Sequence, residues 1–106
     1  MSFTGQENHE ISLQEASAMT KRYRDSQTEE MYIKAEYFGK EAIQSILQQK
    51  DCVGIRVYYA LDENMLKKMV LVGVDQNEND LYNGVLAEKG LVCPPTCPAN
   101  NSPLNG

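Results

Sequence analysis

The sequence predicts an α+β domain in which two helices pack on one face of a small, mainly antiparallel sheet built around a hairpin at 53–75. Three observations carry that expectation. From Val53 to Leu61, apolar residues alternate with small or polar ones at the strand period. From Met69 to Val74 the run is apolar on both faces. Upstream, two stretches combine a helix start signal with apolar residues at helical spacing.

Residues 1–11 are polar and expected to be loose. Ser12 and Glu15 form a capping box, with Ile11 ahead of it facing Ala16, and open a helix running to about Asp25. Leu13, Ala16, Met19 or Thr20, and Tyr23 make its apolar stripe, which needs a cover. The basic run Lys21-Arg22-Tyr23-Arg24 suits the negative end of that helix. Residues 26–38 admit two readings. Ser26 with Glu29 would cap a further helix carrying Met31, Ala35 and Phe38, whereas Ile33, Ala35 and Tyr37 alternate with Lys34 and Glu36 as in a strand. A loop and then a strand from Ile33 to Phe38 is favoured, because another helix start follows at once. Gly39 is its N-cap, Phe38 and Ile43 are its staple, and the helix from Lys40 to about Gln49 buries Ile43, Ile46 and Leu47.

In the hairpin, Val53, Ile55, Val57, Tyr59 and Leu61 share the dry face, opposite Gly54, Arg56, Tyr58 and Ala60. Val70, Val72 and Val74 oppose Met69 and Leu71, so the second strand calls for cover on both faces and a partner on each edge. Asp62 to Lys67 lacks an Asn-Gly pair, which implies a longer loop and leaves the register open. Gln76 to Asp80 is a solvated turn. Val85-Leu86-Ala87, between Asn83-Gly84 and Lys89-Gly90, reads as an edge strand or one helical turn. One domain over 1–92 is followed by a tail, 93–106, that holds all 4 prolines and whose end from Asn100 is expected to be disordered.

Function classes are narrowed by charge and composition. With 10 Lys and Arg against 15 Asp and Glu, a net charge of −5 argues against nucleic-acid binding, which needs concentrated cations for phosphates. No apolar run approaches the roughly 20 residues of a membrane span. The odd number of cysteines and a polar N-terminus lead to cytoplasmic location as the expectation.

Cys93-Pro94-Pro95-Thr96-Cys97-Pro98 is the arrangement with most intrinsic chemistry: two thiols on a proline-stiffened turn can close a disulfide or hold Zn or Cu. Over these six residues it resembles the CxxxCP copper site of the Sco chaperones, but that family places its motif early in the chain and adds a downstream His. Only 9 residues follow Cys97 here, none of them His, so the family's function is not carried over. His9, the only histidine, is expected to be an exposed, ordinary imidazole, and Cys52 a small buried hydrophobe. Asp75 to Asp80 faintly resembles a calcium loop but has Leu86 where the twelfth-position Glu belongs, so a solvated turn is favoured. Arg56 and Tyr58 share the face that leaves the core, and both types suit a contact surface or ligand pocket. The leading expectation is a non-enzymatic protein-interaction or ligand-binding module, homodimeric through its sheet, whose partner is a protein or small molecule. The alternative is a thiol-redox or soft-metal protein using Cys93 and Cys97, with a carboxylate-based enzyme as a third class.

Overall fold

The computed structural model describes residues 2–106. In chain order it contains α1 (Leu13–Asp25), β1 (Ala35–Tyr37), α2 (Lys40–Leu47), β2 (Cys52–Leu61), β3 (Lys67–Asp75), β4 (Leu86–Ala87) and β5 (Leu91–Cys93). This is the α+β class, with every strand pair antiparallel. The strands divide between two sheets: β3 lies between β2 and β4, and β1 pairs with β5.

Local chemistry sets most boundaries. Ser12 accepts the Glu15 amide at 3.0 Å and caps α1. Gly39 caps α2, and α2 stops at Leu47 rather than Gln49. The Gln49 side chain folds back instead, its amide donating to the Ile46 carbonyl at 2.9 Å and its oxygen accepting the Val85 amide at 2.8 Å. The hairpin register pairs Ile55 with Gly73, Val57 with Leu71 and Tyr59 with Met69, with a bulge at Val53. Its loop is shaped by Asp62, whose carboxylate accepts the amides of Asn64 and Leu66, while Met65 takes a left-handed φ of 66°. The Val85–Ala87 piece is an edge strand, paired with Leu71 and Val72. Residues 26–32 form the expected loop, which extends through Ile33 and Lys34, and the strand expected over 33–38 is trimmed to Ala35–Tyr37.

The core is small: Ile46, Leu71, Val72, Val74 and Cys93 are the fully buried apolar residues among those described. α2 packs on β2 and β3, made possible by Gly73, where an added Cβ would sit 3.3 Å from Ile46 and 2.9 Å from Cys52. Leu47 and Ile43 are buried less than expected, with Leu47 facing solvent. Nor do the two helices share the sheet equally. α1 buries no residue completely, and stands off the hairpin on contacts made by Tyr23. Its hydroxyl donates to the Ile33 carbonyl at 2.6 Å, its ring meets Tyr32 edge to face, and Lys67 lies 4.6 Å from the ring centroid.

Two expectations are corrected here. The end of the tail is not free: the Leu104 carbonyl accepts from Arg24 at 2.8 Å and the Asn105 carbonyl from Lys34 at 3.4 Å. Tyr59, assigned to the dry face, is 90% exposed, and Leu61 beyond it is also open. An eight-residue α2 is about 12 Å long, whereas the ten residues of β2 span roughly 33 Å. The helix covers the start of the hairpin and leaves its far end bare.

Candidate functional site

That bare end is one wall of a groove of about 750 Å³. α1 supplies Met19, Thr20, Tyr23 and Arg24 to its lining, and Ile33 to Glu36 supply its back. The hairpin adds Tyr59 to Leu61 and Lys67 to Met69, and Leu104 closes one side. The C-terminal part of the α1 stripe, Met19, Thr20 and Tyr23, therefore faces this space. Its volume lies within the roughly 300–1,000 Å³ of small-molecule sites, and its walls are mainly apolar with a few polar groups, the usual composition of such sites.

Beneath the groove sits a buried ion pair that ties the two sheets together. Glu36, on β1, has a side chain only 2% exposed, and its Oε2 lies 2.9 Å from Lys68 Nζ on β3. Its Oε1 accepts the Met69 amide at 2.9 Å, occupying a position on the edge of β3 that β4 is too short to fill. The Lys68 ammonium also donates to the Gly90 carbonyl at 3.1 Å and lies 3.6 Å from Glu88. Hydrogen bonding and charge from Glu36, with Glu88 behind it, hold Lys68 above the ordinary lysine range despite the opposing cost of burial. Oε2 nonetheless has no aligned donor, and its contact with Lys68 is ionic. Sequence alternation inverted this strand. Tyr37, expected inside, is exposed, and Glu36, expected outside, is in the interior.

Arg56 and Tyr58, the pair singled out from sequence, are brought together by a third residue, Asp80. The Arg56 guanidinium and the Tyr58 hydroxyl each donate to one oxygen of its carboxylate. Because Arg56 is the ladder partner of Val72, and Asp80 bridges to Val74, the link crosses β3 over those two valines. Phe3 lies on the same guanidinium, 6.0 Å from ring centroid to Cζ. The Tyr58 hydrogen bond, followed by Arg56, holds Asp80 below the usual carboxylate range, and Asp80 in turn pushes the Tyr58 phenol up. Nothing local marks Asp80, because its partners are more than 20 positions away and its neighbours in sequence form a polar turn. In that turn Asp75 accepts the Asn77 and Asn79 amides, so its carboxylate shapes the chain.

The remaining candidates lie apart. Cys93 and Cys97 are joined by a disulfide, with Cys93 buried and Cys97 exposed. In this form neither sulfur is a thiolate ligand. Cys52 is free and half-buried, its thiol 3.2 Å from the Gly54 carbonyl. His9 lines a second cleft with Glu7, Phe3 and Arg56 along β2. Among the described residues no cluster of three or more His, Cys, Asp or Glu is placed to hold a metal, and no helix is long and apolar enough to cross a membrane. Fold and site together define a small α+β domain with an apolar, cation-rimmed groove. Compared with protein-family models, curated proteins and solved structures, the chain matches none.

Proposed function

We propose that the protein is a non-enzymatic binding module whose ligand occupies the groove between α1 and the far end of the hairpin. The observation that supports this is the unfilled apolar surface itself. Met19, Tyr59 and Leu61 are exposed on facing elements that an ordinary core would have closed. The test is titration of the full chain with a solvatochromic naphthalene dye. Saturable binding that Met19→Glu abolishes is expected, since Met19 is exposed and its replacement leaves the core untouched. Absence of binding, or binding indifferent to Met19→Glu, overturns the proposal.

Self-association through the sheet is a second part of the proposal, supported by the outer edge of β2, which among the described residues no strand covers. That strand has one ladder partner, β3, and ten residues without proline. Sedimentation equilibrium is expected to show a dimer that Val57→Lys dissociates. A monomer at all concentrations would remove this part. Arg56 and Tyr58 bind a partner under this proposal only by exchanging Asp80 for it, so Asp80→Asn would strengthen partner binding.

The thiol reading stays as the alternative, because the Cys93–Cys97 bond joins a buried residue to an exposed one, Cys97. Reduction would release two thiolates for Zn or Cu. Native mass spectrometry with and without reductant, in the presence of Zn, separates the readings. A stoichiometric metal on the reduced chain would favour the alternative. Cytoplasmic location, also proposed, predicts that the pair is reduced in freshly lysed cells.

A further inference from the structure

We infer that the occupant of the groove is a single-chain amphipathic carboxylate, its apolar tail on the groove floor and its head among Lys67, Lys34 and Arg24; this rests on the binding role proposed above. Charge complementarity carries the inference. The chain has 10 basic and 15 acidic residues, yet the groove lining holds four cations, Arg24, Lys34, Lys67 and Lys68, and one acid, Glu36. Glu36 and Lys68 are paired in charge with each other. Among the described residues, none of the other three has a carboxylate within ion-pair distance. They rest on neutral groups instead: Arg24 on the Leu104 carbonyl, Lys34 on the Asn105 carbonyl, and Lys67 on the Tyr23 hydroxyl and ring. A position in the last turn of α1 accounts for Arg24 by the helix dipole, but Lys34 and Lys67 lie outside that helix.

The floor determines the other half of the ligand. Met19, Ile33, Ala60, Leu61 and Met69 offer no aligned polar partner, so a ligand with polar groups along its length would leave them unsatisfied there. Two flexible thioethers, Met19 and Met69, conform to a chain of variable path. A flexible alkyl chain with one anionic end satisfies both the floor and the rim, the anion gaining charge-assisted bonds from donors that now meet uncharged oxygens.

Calorimetric titration of the full chain compares dodecanoate, dodecanol and dodecyltrimethylammonium, each below its aggregation concentration. Nuclear magnetic resonance with dodecanoate locates the site. Dodecanoate is expected to bind saturably, with shifts at Ile33, Tyr59 and Met69, and more tightly than the other two by about tenfold, the scale of one charge-assisted contact. Lys67→Gln is expected to weaken dodecanoate severalfold without affecting the alcohol, and Lys67→Arg to restore it. Equal binding of the alcohol or the cation overturns the carboxylate assignment and leaves the groove as a binding site. Silence from all three chains overturns the assignment and the binding role together.

Discussion

Replacing Lys68 with Met tests whether the Glu36–Lys68 pair is the joint between the two sheets. At 2.9 Å and an effective dielectric near 20, the bare Coulomb attraction is about 6 kcal/mol. Desolvating two charges offsets most of that, so the intact pair contributes little against a well-packed apolar substitute. Removing one partner is another matter. Glu36 would remain at 2% exposure with only the Met69 amide for company, and breaking a buried pair costs about 3–5 kcal/mol. Because Lys68 is 14% exposed and water would reach part of the vacated space, the lower end, about 3 kcal/mol, is the expected loss. At about 4–8 °C per kcal/mol for a domain of this size, Tm falls by at least about 12 °C. Urea unfolding followed by circular dichroism reads the difference directly. Glu36→Gln in the Lys68→Met background should recover most of it, since the amide oxygen still accepts from Met69 and no charge is left buried. A loss below about 1 kcal/mol, or a double variant no more stable than Lys68→Met, would refute the reasoning.

Two pH limbs follow from the groups that shift. Asp80 is held below its ordinary value of 3.8, so its contribution is present above that pH and is lost as pH falls through the lowered value; Asp80→Asn should flatten the acid limb of a stability profile. Tyr58 and Lys68 are raised above 10.0 and 10.5, so their contributions persist at neutral pH and are lost as pH rises through the raised values. Ultraviolet titration should show one late phenolate that Asp80→Asn brings back toward the others. At Gly73, alanine would place a Cβ 2.9 Å from Cys52 and Gln49 and 3.3 Å from Ile46, forcing α2 outward. The expected cost is about 1–3 kcal/mol by urea unfolding, and Cys52→Ala in the same chain, which removes the sulfur that the new Cβ would meet, should relieve part of it.

Elements specified by neighbouring residues were legible in the sequence; those specified at a distance were not. The Ser12–Glu15 cap, the Gly39 start and the doubly apolar β3 are local signals, and each led to the element found. Alternation failed in β1 because its two faces are defined by what packs on them, and Lys68 sits 32 positions beyond Glu36. Lys68, the second of two lysines opening an otherwise apolar strand and the one that steps into it, is the available sign of a buried acid elsewhere. Tyr59 was misassigned for a related reason, since periodicity places a residue on a face but does not say how far the covering helix reaches. The groove was invisible because it is the space left by two lengths, that of α2 and that of the hairpin. Strand period alone puts Arg56 and Tyr58 on one face, but Asp80 joins them only because the turn after β3 returns it to the sheet.

The chain contains no tryptophan, so a single one reports on its own site. Met19→Trp puts the reporter on an exposed position of the groove wall, and Met65→Trp puts a control on the exposed hairpin loop outside it. With dodecanoate added below its aggregation concentration, saturable enhancement and a blue shift are predicted for the first and no change for the second. An identical response from both, or none from either, would contradict the claim that this groove is where the protein binds its ligand.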